Sequence, residues 1–575
     1  MPMQTFDVVV LGTGVAGLVA AVASHDRGAT VGLFEKGDLV GGTTAMSGGV
    51  AWLPNNRIGR AAGFEDSRAQ SLAYLRSLSN GMAIDAMLEA FVDGTPEMID
   101  WLESSTPVRF QFCKIPDYHP ERPGGLPGGG RSVEAAPFSL LELGPWADRI
   151  TTGQYSELAN GDVHIATVES PRAGGSGVIA DDELQFRRKT RTNTKGRALV
   201  GALLKACLDR GIAPVTEARA RELLIESGRV VGVRIEKDGQ MHHVVARRGV
   251  VIATGGFEWD AELRRAFLRG PIEYPTSAPT NAGDGLKLAM RVGAMLGSMR
   301  EAWWMPVIKI PGELQYGQQK VVMILRERSL PGCIMVNRRG RRFCNEATNY
   351  NSLGAAFHHF DPVMFDYANI PCWLVFDRTY VDKYGFWKIP PAGEMPDWVA
   401  RADTPAALAR SLGIDADNLV EALKQWNRNV AIGRDPDYGR GDSAYDGWNG
   451  DAALYPHRDS TLGPIEEPPF YAVELHASTL GTKGGPQTDR RGAVLNVDGQ
   501  TIPGLYAAGN AMSAPTGTVY AGAGGTIGPA LVFGYLAGRA AAEAAGSEAA
   551  SAIDWSDLFD RLNLQRSALR KPCVE

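Results

Sequence analysis

A chain of 575 residues is too long for one ordinary domain, and 44% hydrophobic with 22% charged residues describes a globular protein, not a disordered or fibrous one. A net charge of −6 with no long basic run argues against a nucleic-acid partner. Six cysteines without a CxxC pair and nine histidines without ligand spacing speak against a disulfide framework and a metal centre, and fit reduced thiols in a cytoplasmic protein.

Taken in chain order, "DVVVL" (Asp7–Leu11) reads as a buried parallel strand from its β-branched run. "GTGVAG" follows, with Gly12, Gly14 and Gly17 in G-x-G-x-x-G spacing, and the helix after it is expected to run to a C-cap at Gly28. "TVGLFE" is a second strand ending in Glu35. The run lacks a basic n-region, so it is a strand, turn and helix, not a targeting or membrane segment. A complete βαβ unit with an acid about 20 residues on is a dinucleotide-binding fingerprint. The glycines let the backbone reach a pyrophosphate at the helix N-terminus, and Glu35 is placed to bond ribose hydroxyls.

"KGDLVGGTTAMSGG" comes next, with Gly42, Thr43, Thr44, Ser47, Gly48 and Gly49 supplying successive N–H and hydroxyl donors. A nicotinamide needs no such run, whereas a flavin lying across the domain does. The stretch resembles the second cofactor contact of the fumarate reductase-like flavoproteins. "VVIATGGF" with Thr254 and Gly255, "TNAGDG" with Asp284, and "GLYAAGN" with Gly509 and Asn510 fit the same superfamily. The resemblance implies FAD and an α/β fold: a Rossmann-like FAD domain interrupted by an inserted α+β catalytic domain. Residues 1–276 and 468–575 are assigned to the first and 277–467 to the second. Within the insert, "GCIMVN" reads as a strand, and "TPAALARSLG" (N-capped by Thr404) and "NLVEALKQWNRNV" as helices. The 40–49 window has no histidine to carry a covalent flavin, so FAD is expected to be non-covalent.

"GTVYAGAGGTIGPA" (Gly517–Ala530) narrows the class further. It resembles the G-H-x-Y-A-G-P-G-A-T-I-G-P-A element of the 3-ketosteroid Δ1-dehydrogenases, departing at Thr518, Ala523 and Gly525. That resemblance implies that the Tyr520 hydroxyl and the Gly524 N–H bind a ketone oxygen. "RRFCNEATNY" implies Tyr350 as the base that takes the α proton, and "PDYHPERPGG" implies Tyr118 as its assistant. A free tyrosine has a pKa of about 10 and is a poor base at neutral pH, so Tyr350 needs a second hydroxyl or a positive field. Trp303–Trp304 reads as a packing or pocket-wall feature, and Gly484–Gly485 as either a backbone approach to the flavin or a plain turn.

The expected partner is a cyclic ketone, a steroid first and a smaller 4-oxocyclohexanecarboxylate-like ketone second, with an external electron acceptor that no motif names. A dicarboxylate reductase or a non-catalytic flavin carrier are the readings of other classes. Residues 131–194 read as a loop excursion, which leaves open a lid, an oligomer contact or a foot on a membrane surface.

Overall fold

The computed structural model describes residues 4–153, 166–170, 173 and 175–545. The strand Gln4–Leu11 is followed by the helix Val15–His25 and the strand Val31–Phe34. The helix stops at His25, three residues before Gly28, which takes φ +79° in the turn beyond it. Gln4–Leu11 lies between Val31–Phe34 and Gln240–Ile252, all parallel, and Thr501–Ala507 adds a fourth parallel strand on the far side. The register pairs Val9 with Val250 and Val250 with Leu505, so segments far apart in sequence meet at the centre of one sheet. Such strands are covered on both faces, which is why they read as continuous apolar runs.

The helix Ile527–Glu543 closes this domain against Val15–His25. Small residues permit the contact: a Cβ on Gly534 would lie 2.7 Å from the Ala16 carbonyl oxygen, and one on Gly538 2.5 Å from that of Ala20. The docking carries the preceding segment to the cavity described below, which Tyr520, Ala523, Gly524 and Thr526 line.

A second, antiparallel sheet orders Gln318–Met323, Ala302–Gln315, Phe470–Thr482, Cys372–Phe376 and Cys333–Asn337. Phe470–Thr482 is thus hydrogen-bonded into this sheet along its length, although the sequence assigns it to the returning flavin segment. Helices Pro405–Leu412 and Ala416–Ala431 pack on its outer face, the first capped by the Thr404 hydroxyl accepting from the Ala407 N–H at 3.2 Å.

Residues 131–194 are not a plain loop where they are described; residues 154–165, 171, 172 and 174 lie outside the described set. Ser132–Ala135 is a buried strand between Val50–Trp52 and Phe110–Phe112, and Asp181–Thr190 is a helix. That helix has acids in its first turn and bases in its last, which complements its dipole. Its sparse apolar content hid it from a reading by periodicity. Among the described residues no helix is long and apolar enough to cross a membrane, and no cluster of three ligand-type side chains is poised for a metal. Cys113, Cys207, Cys333, Cys344 and Cys372 are buried free thiols.

Candidate active site

One cavity of about 560 Å³ runs from the edge of the parallel sheet to the inserted domain. Glu35 and Lys36 line one end, Gly12, Gly14, Thr43 and Thr44 the middle, and Tyr118, Tyr350 and Tyr520 the other end. Every residue assigned to cofactor or catalysis from the sequence lies on its wall except Gly17. Gly17 instead lets the helix approach the strand: a Cβ there would stand 1.9 Å from the Gly12 carbonyl oxygen.

The walls fit a dinucleotide. Gly12 sits at φ +104°, and Cβ atoms on Gly42 and Gly48 would meet open space, so backbone faces the cavity without side chains in the way. The Glu35 carboxylate is oriented by Thr13, whose N–H and hydroxyl donate to Oε2 at 3.0 and 2.6 Å, and by the Gly37 N–H on Oε1 at 2.9 Å. A carboxylate has about four acceptor positions, so with three taken one is left on Oε1 for a ribose hydroxyl. Thr43 Oγ1 accepts from the Ala278 N–H and from Asn281, tying the second contact run to the loop before the inserted domain. Asp284 reaches the cavity, but its carboxylate is gripped by Arg219 at 2.6 and 2.9 Å and by Lys36 at 3.0 Å. Thr254, Gly255, Ser47, Gly49, Gly509 and Asn510 complete the lining. Gly484 and Gly485 do not: they pack on Met299 and Met512, away from the cavity.

At the far end three tyrosine hydroxyls form a chain. Tyr118 Oη donates to Tyr350 Oη at 2.9 Å, and Tyr350 and Tyr520 share a hydrogen bond of 2.7 Å. The rings of Tyr118 and Tyr520 stack at 5.2 Å, and Tyr445 meets Tyr118 edge-on at 4.8 Å. All are buried, within one apolar cluster that includes Trp303, Met305 and Val321 and is flanked by Met323, Leu325, Trp448 and Leu480. Burial pushes the phenols of Tyr118 and Tyr350 well above the ordinary tyrosine range. The Tyr118 hydrogen bond works the other way on Tyr350 and lowers it. Contact with the Tyr520 hydroxyl adds to the rise at Tyr350, so both phenols stay protonated in the resting site.

Each tyrosine has its own support. The Tyr118 N–H donates to the Ala521 carbonyl at 3.0 Å, which ties its loop to the Tyr520 segment. Next to it Asp117 and Asp66 clasp Arg131 at 2.6 and 2.7 Å, all three fully buried. The sequence reading places Arg131 at the start of a surface excursion; it is a core clamp. Tyr350 opens the helix Tyr350–Phe357, whose N-cap Asn349 accepts from the Ser352 N–H at 3.0 Å. The preceding turn is pinned by Glu346, which takes Arg342 at 2.8 Å, Arg440 at 3.1 Å and the Met335 N–H at 3.1 Å. Gly524 takes φ +94° beside Tyr520, where a Cβ would lie 2.4 Å from the Val50 carbonyl oxygen. Trp303 abuts the Tyr520 ring edge-on at 5.0 Å and donates to Asn510 at 3.0 Å, a packing position behind the cavity lining. Tyr445, Trp448, Arg131 and Lys483 carry no local signal in the sequence, because their partners are distant in the chain.

A parallel nucleotide sheet, an inserted antiparallel domain and a cavity joining them define a flavoprotein oxidoreductase. A family model described as "FAD binding domain" matches residues 7–527. The chain is 39% identical over 573 residues to 4-oxocyclohexanecarboxylate 2-dehydrogenase of Sinomonas cyclohexanicum, covering 97% of both chains. It is 36% identical over 582 residues to 3-oxosteroid 1-dehydrogenase of Mycobacterium tuberculosis, covering 95% of this chain and 100% of the relative. The crystal structure of 3-ketosteroid Δ1-dehydrogenase from Sterolibacterium denitrificans, in complex with 1,4-androstadiene-3,17-dione, superposes with a TM-score of 0.87 at 32% identity, covering 94% of this chain and all of that one. The chain belongs to the family of 3-oxosteroid 1-dehydrogenases and related cyclic-ketone dehydrogenases, FAD-dependent oxidoreductases of CH–CH groups.

Proposed function

We propose that this protein introduces a double bond next to the ketone of a 3-ketosteroid, giving the Δ1 product. The observation that carries the reading is the Tyr118–Tyr350–Tyr520 hydroxyl chain at the apolar end of the cavity. Gly12, Gly14, Glu35, Thr43, Thr44 and Gly48 would hold FAD without a covalent bond, and the flavin would serve as the hydride acceptor. The Tyr520 hydroxyl and the Gly524 N–H polarise the ketone oxygen, and such fixed donors stabilise the enolate-like charge that develops there. Tyr350, fed by Tyr118, removes the proton from the carbon α to the ketone. The β carbon loses its hydrogen with the bonding pair, and the α,β double bond forms. The buried tyrosine network excludes water from the developing charge.

Around the tyrosines the walls are Met305, Val321, Met323, Leu325, Trp448 and Leu480, all uncharged, which suits a steroid skeleton. A smaller ketone is the second reading, favoured by the 39% identity to a 4-oxocyclohexanecarboxylate dehydrogenase. Anaerobic mixing with 4-androstene-3,17-dione and, separately, with 4-oxocyclohexanecarboxylate tests both. Flavin bleaching with a steroid product lighter by two hydrogens supports the first. Bleaching only by the small ketone selects the second, and bleaching by neither overturns both.

A further inference from the structure

Lys483 is fully buried at the end of the strand Phe470–Thr482, outside the cavity, and no step above uses it. Its ammonium donates to the Thr518 carbonyl at 2.6 Å, two residues before Tyr520. It also sits 4.5 Å above the Trp303 ring, and Trp303 in turn abuts Tyr520 edge-on at 5.0 Å. The Lys483 backbone binds on both sides: its N–H donates to the Glu301 carbonyl at 2.9 Å, and its carbonyl accepts from the Ala514 N–H at 2.8 Å. Lys483 thus joins three segments that surround Tyr520: the second sheet, the 301–303 strand start and the 514–518 turn.

We propose that Lys483 is the positioning residue for Tyr520, its ammonium fixing the Thr518 carbonyl and the Trp303 ring that together set where the Tyr520 hydroxyl points. The proposal rests on the reading of Tyr520 as the ketone donor. A buried lysine costs solvation of its charge, so its place in the fold calls for a function that an apolar residue does not serve. The cost is visible: burial pushes the ammonium pKa down to about 7, against the pull of the Glu301 carboxylate and with the push of Arg269. Glu301 is itself bound by Arg269 at 3.0 Å and by the Trp304 indole N–H, so it does not neutralise Lys483 directly.

The test compares wild type, Lys483→Met, Lys483→Arg and Tyr520→Phe as FAD-loaded enzymes of equal melting temperature. Steady-state turnover of 4-androstene-3,17-dione is measured with an artificial electron acceptor, and hydrogen–deuterium exchange is followed in the peptide spanning 514–524. A misplaced catalytic group costs about 100-fold, so Lys483→Met is expected to lose about that much kcat with KM unchanged. Exchange at 514–524 rises with it, and Lys483→Arg restores both. Wild-type kcat and exchange in Lys483→Met overturn the proposal. So does a joint loss of kcat and KM that Arg does not rescue, which marks a purely structural lysine. A wild type inert toward the ketone refutes the desaturase reading instead, and the exchange measurement still decides the role of Lys483.

Discussion

The hydroxyls of Tyr350 and Tyr520 stand 2.7 Å apart although their residues are 170 positions apart in the chain. A ketone oxygen arriving at Tyr520 therefore enters a hydrogen-bonded chain already in place. On the proposed reading the three tyrosines divide the labour, and single Phe substitutions separate their roles. Tyr350→Phe removes the base and is expected to lower kcat by about 10³ to 10⁴. Tyr520→Phe removes one oxyanion donor and is expected to cost about 10² to 10³ in kcat. Tyr118→Phe leaves the base in place and costs less than either. Stopped-flow flavin reduction by the ketone ranks them; equal losses for all three sink the assignment.

The pH dependence follows from the same chain. Burial raises the Tyr350 phenol well above its ordinary range, so at neutral pH only a small fraction is ionised. Below its pKa the reactive phenolate grows tenfold per pH unit, and the flavin-reduction rate is expected to climb toward alkaline pH. Removing the Tyr118 hydroxyl removes a hydrogen bond that lowers the Tyr350 pKa, so the Tyr118→Phe profile shifts further to alkaline pH. A flat profile between pH 6 and 9, a range of about three units around neutrality, contradicts the tyrosine base.

Glu346 tests the frame behind Tyr350. Its carboxylate balances two buried guanidinium groups, Arg342 and Arg440. Glu346→Gln takes the carboxylate from Arg440 while Arg342 keeps its pair with Asp435, and breaking a buried pair from one side costs about 3–5 kcal/mol. Denaturant unfolding is expected to show that loss, with catalysis falling even at temperatures where the variant stays folded.

Gly17 tests the nucleotide end. An alanine there puts its Cβ 1.9 Å from the Gly12 carbonyl oxygen, so helix and strand must part. Such overpacking costs about 1–3 kcal/mol, and here it also displaces the turn under the pyrophosphate. Purified Gly17→Ala is expected to lack the yellow flavin absorbance at protein concentrations where wild type is saturated. A variant fully loaded with flavin refutes this.

Two histidines set an acid limit on stability. Burial holds His358 and His476 neutral, with pKa values pushed down to about 4. Between about 4 and the unfolded value of about 6.5, the unfolded chain binds more protons than the folded one. Stability therefore falls as pH drops through that window and is regained as pH rises to neutral. Replacing His476 by Gln is expected to reduce the fall in melting temperature between those limits, with His358 keeping the remainder.

The nucleotide half was legible because its chemistry is local. Gly12, Gly14, Gly17 and Glu35 sit in one βαβ unit, and the β-branched strand around them cannot easily be read otherwise. The tyrosines were legible only through the resemblance of their flanking motifs, since a tyrosine by itself is most often a packing residue. Arg131 with Asp66 and Asp117, Glu346 with Arg440, and Lys483 with Thr518 were not legible. Each pairs residues whose proximity is decided by tertiary packing, and no spacing along the chain announces it. The helix Asp181–Thr190 was missed for a related reason: its stability comes from charge placement along its axis more than from an apolar stripe.

The three hydroxyls come from residue 118, before the inserted domain, from residue 350, within it, and from residue 520, after it. A partly folded form that holds a nucleotide on the parallel sheet before the insert has docked is expected to be coloured but silent toward ketones. Ketone turnover is thus a sharper gauge of complete assembly than flavin colour, and the ratio of the two in a refolding time course reports how late the inserted domain settles.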